Sequence, residues 1–182
     1  KDQIQTAVKE STVEGSFMAT ISSEGSRIDI NDLGAFGEEG KKIKEATKQQ
    51  ILKIFASEVE NNEEFRKEYS NFKFDELVNN IIDWIDEDAE AGNGGDEKGQ
   101  YPDIQNDFIP PNRPFKTIEE LHMVAKMDDK IFALLAPRIT VYGVKGVNVN
   151  YASSEVLKSL DARITDEMVQ KIVKRRSSPE EG

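Results

Sequence analysis

The stretch FDELVNNIIDWIDEDAEAGNGGDE, residues 74–97, joins a helical pattern to an acidic, glycine-rich segment, and it decides how the rest of the chain is interpreted. Its first half places apolar residues at three- and four-residue steps, which predicts an amphipathic helix from Phe74 to Ile85 with one face in the core. Trp84 lies beside this stripe and is expected to pack against other core residues. The second half carries the charge: seven carboxylates and no basic side chain lie between residues 83 and 97. Such a segment repels itself, so a cation is expected within it.

The spacing of these acids resembles a calcium loop. Positions one, three, five and twelve of a twelve-residue window are acidic, as in an EF-hand, and they are Asp86, Asp88, Glu90 and Glu97. The sixth position is Ala91 instead of the glycine that an EF-hand turn needs, and residues 98–102 cannot begin a helix. The pattern therefore predicts a calcium-binding loop that is not an EF-hand. A solvated acidic loop without an ion is the alternative.

The composition narrows the possible partners and metals. The chain has 182 residues, a formal net charge of −11 and a pI near 4.7, which weighs against nucleic acid or anionic lipid as the main partner. Because the chain has no cysteine and one histidine, zinc is a poor candidate, and magnesium usually keeps several waters. Calcium is the ion that fits best. At this length the chain forms one domain or two small ones.

Ahead of the acidic segment, the pattern changes from strands to helices. Residues 2–10 look like the end of a helix, and residues 15–22 and 26–31 read as two strands of a hairpin around a turn at 23–25. Beyond Gly34, apolar residues from Lys41 to Val59 recur at helical intervals.

After the acidic segment, prolines mark an irregular stretch, and short helices follow. Thr117 and Glu120 form a capping box, and Asp128 is expected to cap the next helix, so two short helices make a hairpin. Residues 138–142 and 144–149 read as strand-like. Ser153 and Thr165 are expected to cap the two helices of a second helical hairpin.

The order of several motifs resembles the K-type minor pseudopilin family of bacterial type II secretion systems. The resemblance is carried by the stretches SRIDIN (26–31), DWID (83–86), GDE (95–97), PPNRP (110–114), EEL (119–121), LAP (135–137), VNVNYA (147–152) and EVL (155–157), and by Tyr101. It covers the chain from about residue 15 to its end. Departures are Asp96, where the family has alanine, and Tyr151, where it has threonine.

This resemblance implies an α+β fold in which a small antiparallel pilin-like sheet carries a large inserted helical domain of sterile-alpha-motif-like or helix-hairpin-helix-like units. The expected divisions are residues 1–33, the helix end and hairpin; 34–142, the inserted helical domain; and 143–182, a strand with the second helical hairpin. The family's membrane-anchoring start and the end of its helical domain are expected outside this sequence.

The resemblance also implies function. Members of the family cap the pseudopilus in the periplasm together with minor pseudopilins of the I and J types, and they bind calcium after the D-W-I-D motif. By match, Asp86, Asp88 and Glu97 are the expected ligands, and the further candidates are Glu90, Asn93 and Asp96.

The residues disfavour two other functions, nucleic-acid binding and catalysis. Helix-hairpin-helix units can hold nucleic-acid phosphates, but here the turns at 126–129 and 161–164 contain no glycine. A basic patch at Lys171, Lys174, Arg175 and Arg176 is what a helix carboxyl end ordinarily attracts. An enzyme is disfavoured because His122 stands alone and no nucleophile or phosphate-loop motif occurs. The sequence therefore predicts a non-enzymatic assembly protein.

Overall fold

The computed structural model describes residues 23–87, 92–94, 110–144 and 146–178. Over these ranges the chain is mostly helical with one short pair of strands, which agrees with an α+β class. The helices are α1 (Gly37–Asn61), α2 (Glu63–Glu68), α3 (Phe74–Ile85), α4 (Asp129–Leu135), α5 (Ser154–Leu160) and α6 (Asp166–Arg176). Short 3-10 helices span Glu24–Ser26, Ile30–Gly34 and Ile118–Met123, and the strands are β1 (Ile28–Asp29) and β2 (Ile139–Thr140).

The two strands pair in parallel, with Ile28 opposite Ile139 and Asp29 opposite Thr140. The predicted strand at 26–31 is therefore wrong in length, because the Asp29 side chain accepts a hydrogen bond from the backbone N–H of Asn31 and starts a 3-10 helix there. The first strand of the predicted hairpin, residues 15–22, lies outside the described residues. Within the described part of the chain, the pairing is parallel and not the antiparallel arrangement expected of a pilin-like sheet.

Of the two later segments predicted as strand-like, one contains a strand. β2 lies within residues 138–142 as expected. The prediction of a strand at 144–149 is wrong for the residues that the structure describes there, which form bends and a turn. Gly143 and Gly146 have positive φ angles of 73° and 107°, and this left-handed backbone breaks an extended run.

α3 is the largest contributor to the hydrophobic core, and α1 adds Ile51, Ile54 and Phe55 at the helical intervals that the apolar periodicity predicts. The predicted stripe of α3 is buried, with Leu77, Val78, Ile81, Ile82 and Ile85 all in the core. Trp84 is 2% exposed and stacks in parallel on Phe115, with 5.6 Å between ring centroids. The core also takes Ile28 and Val156, so it draws on all three segments of the predicted domain division, which stays a prediction.

The carboxyl end of α3 packs tightly on the 3-10 helix that follows β1. A Cβ atom added to Gly34 would lie 2.3 Å from Cγ2 of Ile85, a separation that real Cβ atoms do not show. Only glycine therefore allows this approach, which fixes the last turn of α3 against Ile30–Gly34.

The predicted helix starts are confirmed by their caps. Thr117 and Glu120 form the capping box, and Asp128 accepts from the Ile131 N–H at 2.8 Å. Ser153 and Thr165 cap α5 and α6 in the same manner. Each cap satisfies an N–H group that has no partner within its helix.

Helix α2 was not expected from the sequence. Phe65 is the single apolar residue among its six, too few for a periodic signal. Asn62 caps the helix by accepting from the Phe65 N–H at 3.1 Å. The hydroxyl of the buried Tyr69, just after α2, donates to the Asp128 carboxylate at 2.8 Å. The pKa of Tyr69 is raised, mainly because the side chain is buried and also because of this hydrogen bond. This contact ties α2 to the start of α4.

Candidate functional site at the carboxyl end of α3

The last turn of α3 carries two carboxylates. Asp83 is buried within the turn, and Asp86 follows the helix as its C-cap, its N–H donating to the Ile82 carbonyl at 2.9 Å. Negative side chains at this end oppose the helix dipole. A positive group is present nearby, because Nζ of Lys44 on α1 lies 3.8 Å from Oδ2 of Asp86.

The described part of the glycine-rich loop, residues 92–94, folds back onto α3. The Gly92 N–H donates to Oδ1 of Asp83 at 2.9 Å. A Cβ at Gly92 would lie 3.0 Å from that same oxygen, so glycine lets the backbone reach the carboxylate. Asp83 thus holds the loop and satisfies part of its own hydrogen-bonding capacity.

Three asparagines form what we call the amide cluster: Asn79 and Asn80 on α3 and Asn93 in the loop. Nδ2 of Asn93 donates to Oδ1 of Asn80 and to the Glu76 carbonyl, both at 2.8 Å, and Oδ1 of Asn93 accepts from Nδ2 of Asn79 at 2.9 Å. The side chain of Asn93 is therefore bonded at both ends to α3. The loop is attached there by directional hydrogen bonds.

The amide cluster also reaches two other elements. Nζ of Lys48 on α1 donates to Oδ1 of Asn79 at 2.9 Å, and Nδ2 of Asn80 donates to the carbonyl of Ala125, ahead of α4, at 2.9 Å. Asn80 is buried in this setting. Sequence reasoning missed the cluster, although an amide on the apolar face of α3 is a signal, because a buried polar group needs hydrogen-bonding partners.

A second polar contact fixes the opposite side of the helix end. Asn31 donates from Nδ2 to the carbonyls of Phe115 and Val141 at 3.0 and 3.1 Å, and its Oδ1 accepts from the Phe115 N–H at 2.8 Å. Phe115 is the residue on which Trp84 stacks. The side chain of Asn31 therefore holds in place the surface against which the D-W-I-D turn packs.

Of the six predicted metal ligands, Asp86 and Asn93 are described, and Asp88, Glu90, Asp96 and Glu97 lie outside the described residues. Asp86 lies beside Lys44, and Asn93 takes part in the amide cluster. In the described ranges, no three Asp, Glu, His or Cys side chains form a metal-binding group. Asp86 and Asn93 both offer side-chain oxygen atoms, which are the type of ligand that calcium, a hard cation, binds. The ligand set itself stays a prediction.

Comparison with known proteins decides the family. A family model for protein K of the type II secretion system matches residues 26–144. The chain belongs to this family. The match confirms the resemblance seen in the sequence, and it spans β1, α1 to α4 and β2, together with the D-W-I-D turn and the amide cluster.

A solved structure shares the fold of this protein K family member. A chain of the GspK-GspI-GspJ complex from the enterotoxigenic Escherichia coli type 2 secretion system superposes with a TM-score of 0.57 at 17% sequence identity. The superposition covers 76% of this chain and 47% of that chain, so the present sequence spans about half of its length. No curated protein matches the chain significantly.

The alternative of a nucleic-acid-binding module is not supported for this protein K chain. Arg176, part of the predicted basic patch, donates to the carbonyls of Val149 and Ala152 at 3.0 and 2.8 Å and so fixes the turn before α5. In the turn between α5 and α6, Arg163 binds the Asp161 carboxylate through two hydrogen bonds of 2.9 Å. Both arginines are engaged within the protein.

His122 is the single histidine of the chain. His122 lies over the ring of Phe132, with centroids 3.8 Å apart, which agrees with a packing role for this histidine.

Within the described part of the chain, no helix combines the length and the apolar character needed to cross a bilayer.

Proposed function

We propose that this chain is part of a minor pseudopilin that works in the periplasm at the tip of the pseudopilus, as a non-enzymatic assembly component of type II secretion. The family match over residues 26–144 carries this proposal. The similarity in fold to a chain of the GspK-GspI-GspJ complex supports it, because that complex belongs to a type 2 secretion system. In this proposal a helix anchors the whole protein to the inner membrane.

The partners in this proposal are minor pseudopilins of the I and J types. Mixing the purified chain with both partners from the same organism and separating the mixture by size exclusion with light scattering tests it. We expect one peak that contains all three proteins. Two tyrosines are the first candidates for contact with these partners. Tyr142 and Tyr151 are each 69% exposed, and tyrosine is enriched at protein interfaces. Tyr142→Ser and Tyr151→Ser are the first variants to test.

Failure of both partners to elute with the chain would contradict this proposal. If neither partner elutes with the chain at tens of micromolar, with the chain folded by circular dichroism, the assembly role fails.

A gel shift with labelled duplex DNA at low salt is the companion experiment. A shift that disappears as salt rises would favour the helix-hairpin-helix alternative, because phosphate contacts release counterions.

The helical hairpins support the finer fold assignment in this proposal. The 3-10 helix Ile118–Met123 with α4, and α5 with α6, are two pairs of short helices joined by tight turns. We assign them to sterile-alpha-motif-like or helix-hairpin-helix-like units of the inserted helical domain. In this proposal they form a scaffold for contacts between proteins.

Calcium binding by the acidic segment completes the proposed function. The seven carboxylates between residues 83 and 97 support it, and Asp86, Asp88 and Glu97 would hold the ion, with Glu90, Asn93 and Asp96 as further candidates. A bound calcium would supply positive charge at the negative end of α3 and join that end to the loop. Calcium would then stabilise the fold by an amount that grows with its concentration relative to the dissociation constant.

Thermal unfolding tests the calcium proposal directly. Millimolar calcium is expected to raise the melting temperature, and the double replacement Asp86→Ala with Glu97→Ala is expected to abolish the rise. A matched control replaces the exposed acids Glu38 and Glu39 of α1 by alanine, which removes the same charge away from the segment. Wild-type protein that responds neither to calcium nor to a chelator would end the calcium proposal and leave the assembly role standing.

A further inference from the structure

Two lysines of α1 face the carboxyl end of α3. Lys44 and Lys48 are four residues apart, so they lie on the same face of the helix. Nζ of Lys48 donates to Asn79 of the amide cluster, and Nζ of Lys44 lies 3.8 Å from the carboxylate of Asp86. The protein thus places its own cations beside the segment that carries the densest negative charge.

The contact between Lys44 and Asp86 differs from the ion pair one turn earlier in α1. The side chains of Lys44 and Asp86 are 35% and 23% exposed, and they join two helices that are far apart in sequence. Lys41, one turn earlier, pairs with Glu38 of its own helix, and the Lys41 side chain is 75% exposed. Partial burial weakens the screening by water and salt, so the charge of Lys44 acts more strongly on its surroundings than that of Lys41.

We propose that Lys44 is an internal counter-cation for Asp86, which neutralises the end of α3 when no divalent ion is bound and which weakens the binding of that ion. This inference rests on the proposed calcium site. A carboxylate that pairs with an ammonium group must share its charge when a divalent cation arrives, and the two cations repel each other. Lys44 would therefore set how tightly the site binds calcium.

A positioning role for Lys44 predicts the opposite result. If Lys44 merely held Asp86 in the geometry that the ion needs, its removal would weaken calcium binding. If Lys44 competes with the ion, its removal strengthens binding. The direction of the change in affinity therefore separates the two roles.

Calorimetric titration of the full chain with calcium tests the proposal, using Lys44→Gln, the charge-retaining Lys44→Arg and the matched control Lys41→Gln. We expect Lys44→Gln to bind calcium roughly fivefold more tightly, as removal of one charge near a partly exposed site implies. Lys44→Arg and Lys41→Gln should bind with nearly the affinity of the wild type. Lys41→Gln changes the net charge equally, so it corrects for long-range effects.

Thermal unfolding gives a second readout. Without calcium, Lys44→Gln should unfold at a lower temperature than Lys41→Gln, and calcium should raise its melting temperature by more than that of the wild type. Calcium affinity that is unchanged or weaker in Lys44→Gln overturns the counter-cation role and leaves the calcium site intact. Wild-type protein that binds no calcium overturns both.

Discussion

The two sides of α3 are held in different ways. On one side, Trp84 and the apolar stripe pack against Phe115 and the other core residues, contacts that depend on shape and burial. On the other side, the amide cluster and Asp83 bind the glycine-rich loop through hydrogen bonds with defined partners. The core side sets where α3 lies. The polar side sets where the acidic segment leaves it, and this segment is the proposed calcium site.

The core side should carry the larger share of the stability. Trp84→Ala removes a fully buried indole and its stacking contact with Phe115, and we expect a loss of about 3–5 kcal/mol in the free energy of unfolding. Urea denaturation followed by circular dichroism measures it. The matched control is Phe36→Ala, because Phe36 is 93% exposed and its removal should change stability by less than about 0.5 kcal/mol. Similar losses in the two variants would contradict the assignment of Trp84 to the core.

The close approach between Gly34 and Ile85 gives the next largest effect. Gly34→Ala should destabilise the protein by about 1–3 kcal/mol, because Ile85 is buried and its methyl group cannot move aside freely. Gly25→Ala is the matched control, since a Cβ there would meet its nearest atoms at 3.8 and 3.9 Å, an ordinary contact. If both variants have the stability of the wild type, the end of α3 is not held against the 3-10 helix as described.

The polar side is tested by Asn93→Ala. The substitution removes the three hydrogen bonds of this side chain within the amide cluster, and we expect a loss of about 1–2 kcal/mol. Hydrogen exchange is the sharper measurement, because the Gly92 N–H should exchange faster once the loop is released from Asp83. Asn150→Ala, at an exposed position, should change neither quantity. Unaltered exchange at Gly92 would show that Asn93 does not hold the loop.

The sequence predicts the core side of α3 better than the polar side. Apolar periodicity depends on spacing alone, so residues such as Leu77 and Ile81 could be assigned to the core from the pattern, and caps such as Asp128 depend on neighbours three residues away. The amide cluster joins residues 79 and 93 to Lys48 and Ala125, and no local pattern predicts such distant pairs.

The errors at the strands have a similar cause. The residues 26–31 alternate in polarity as a strand does, but the turn made by the Asp29 side chain stops β1 after two residues, and its partner β2 lies more than a hundred residues away. Alternation predicts which face is buried, and it does not predict the partner or the direction of pairing. The family resemblance, which rests on several motifs in order, is confirmed by the family match over residues 26–144.

The smallest expected effect lies at the edge of the amide cluster. Glu76, whose carbonyl accepts from Asn93, has its carboxylate bonded to Lys126 and Lys73, and these contacts lower its pKa from 4.5 to about 2, with the Lys126 hydrogen bond as the largest cause. Because the folded protein holds this proton less tightly than the unfolded chain, the stabilisation is complete above pH 4.5 and is lost as the pH falls towards 2.

Replacing Lys126 should remove part of this dependence, because Lys73 still binds the Glu76 carboxylate. We expect Lys126→Met to partly flatten the decline in unfolding free energy between pH 4.5 and 2, measured by urea denaturation at fixed ionic strength. Lys116→Met is the matched control, because this exposed lysine forms no side-chain ion pair in the described part of the chain. An acid-induced decline that is equally steep in both variants would contradict the pairing. Because the pair is partly exposed, raising the salt concentration should shrink the difference between the variants.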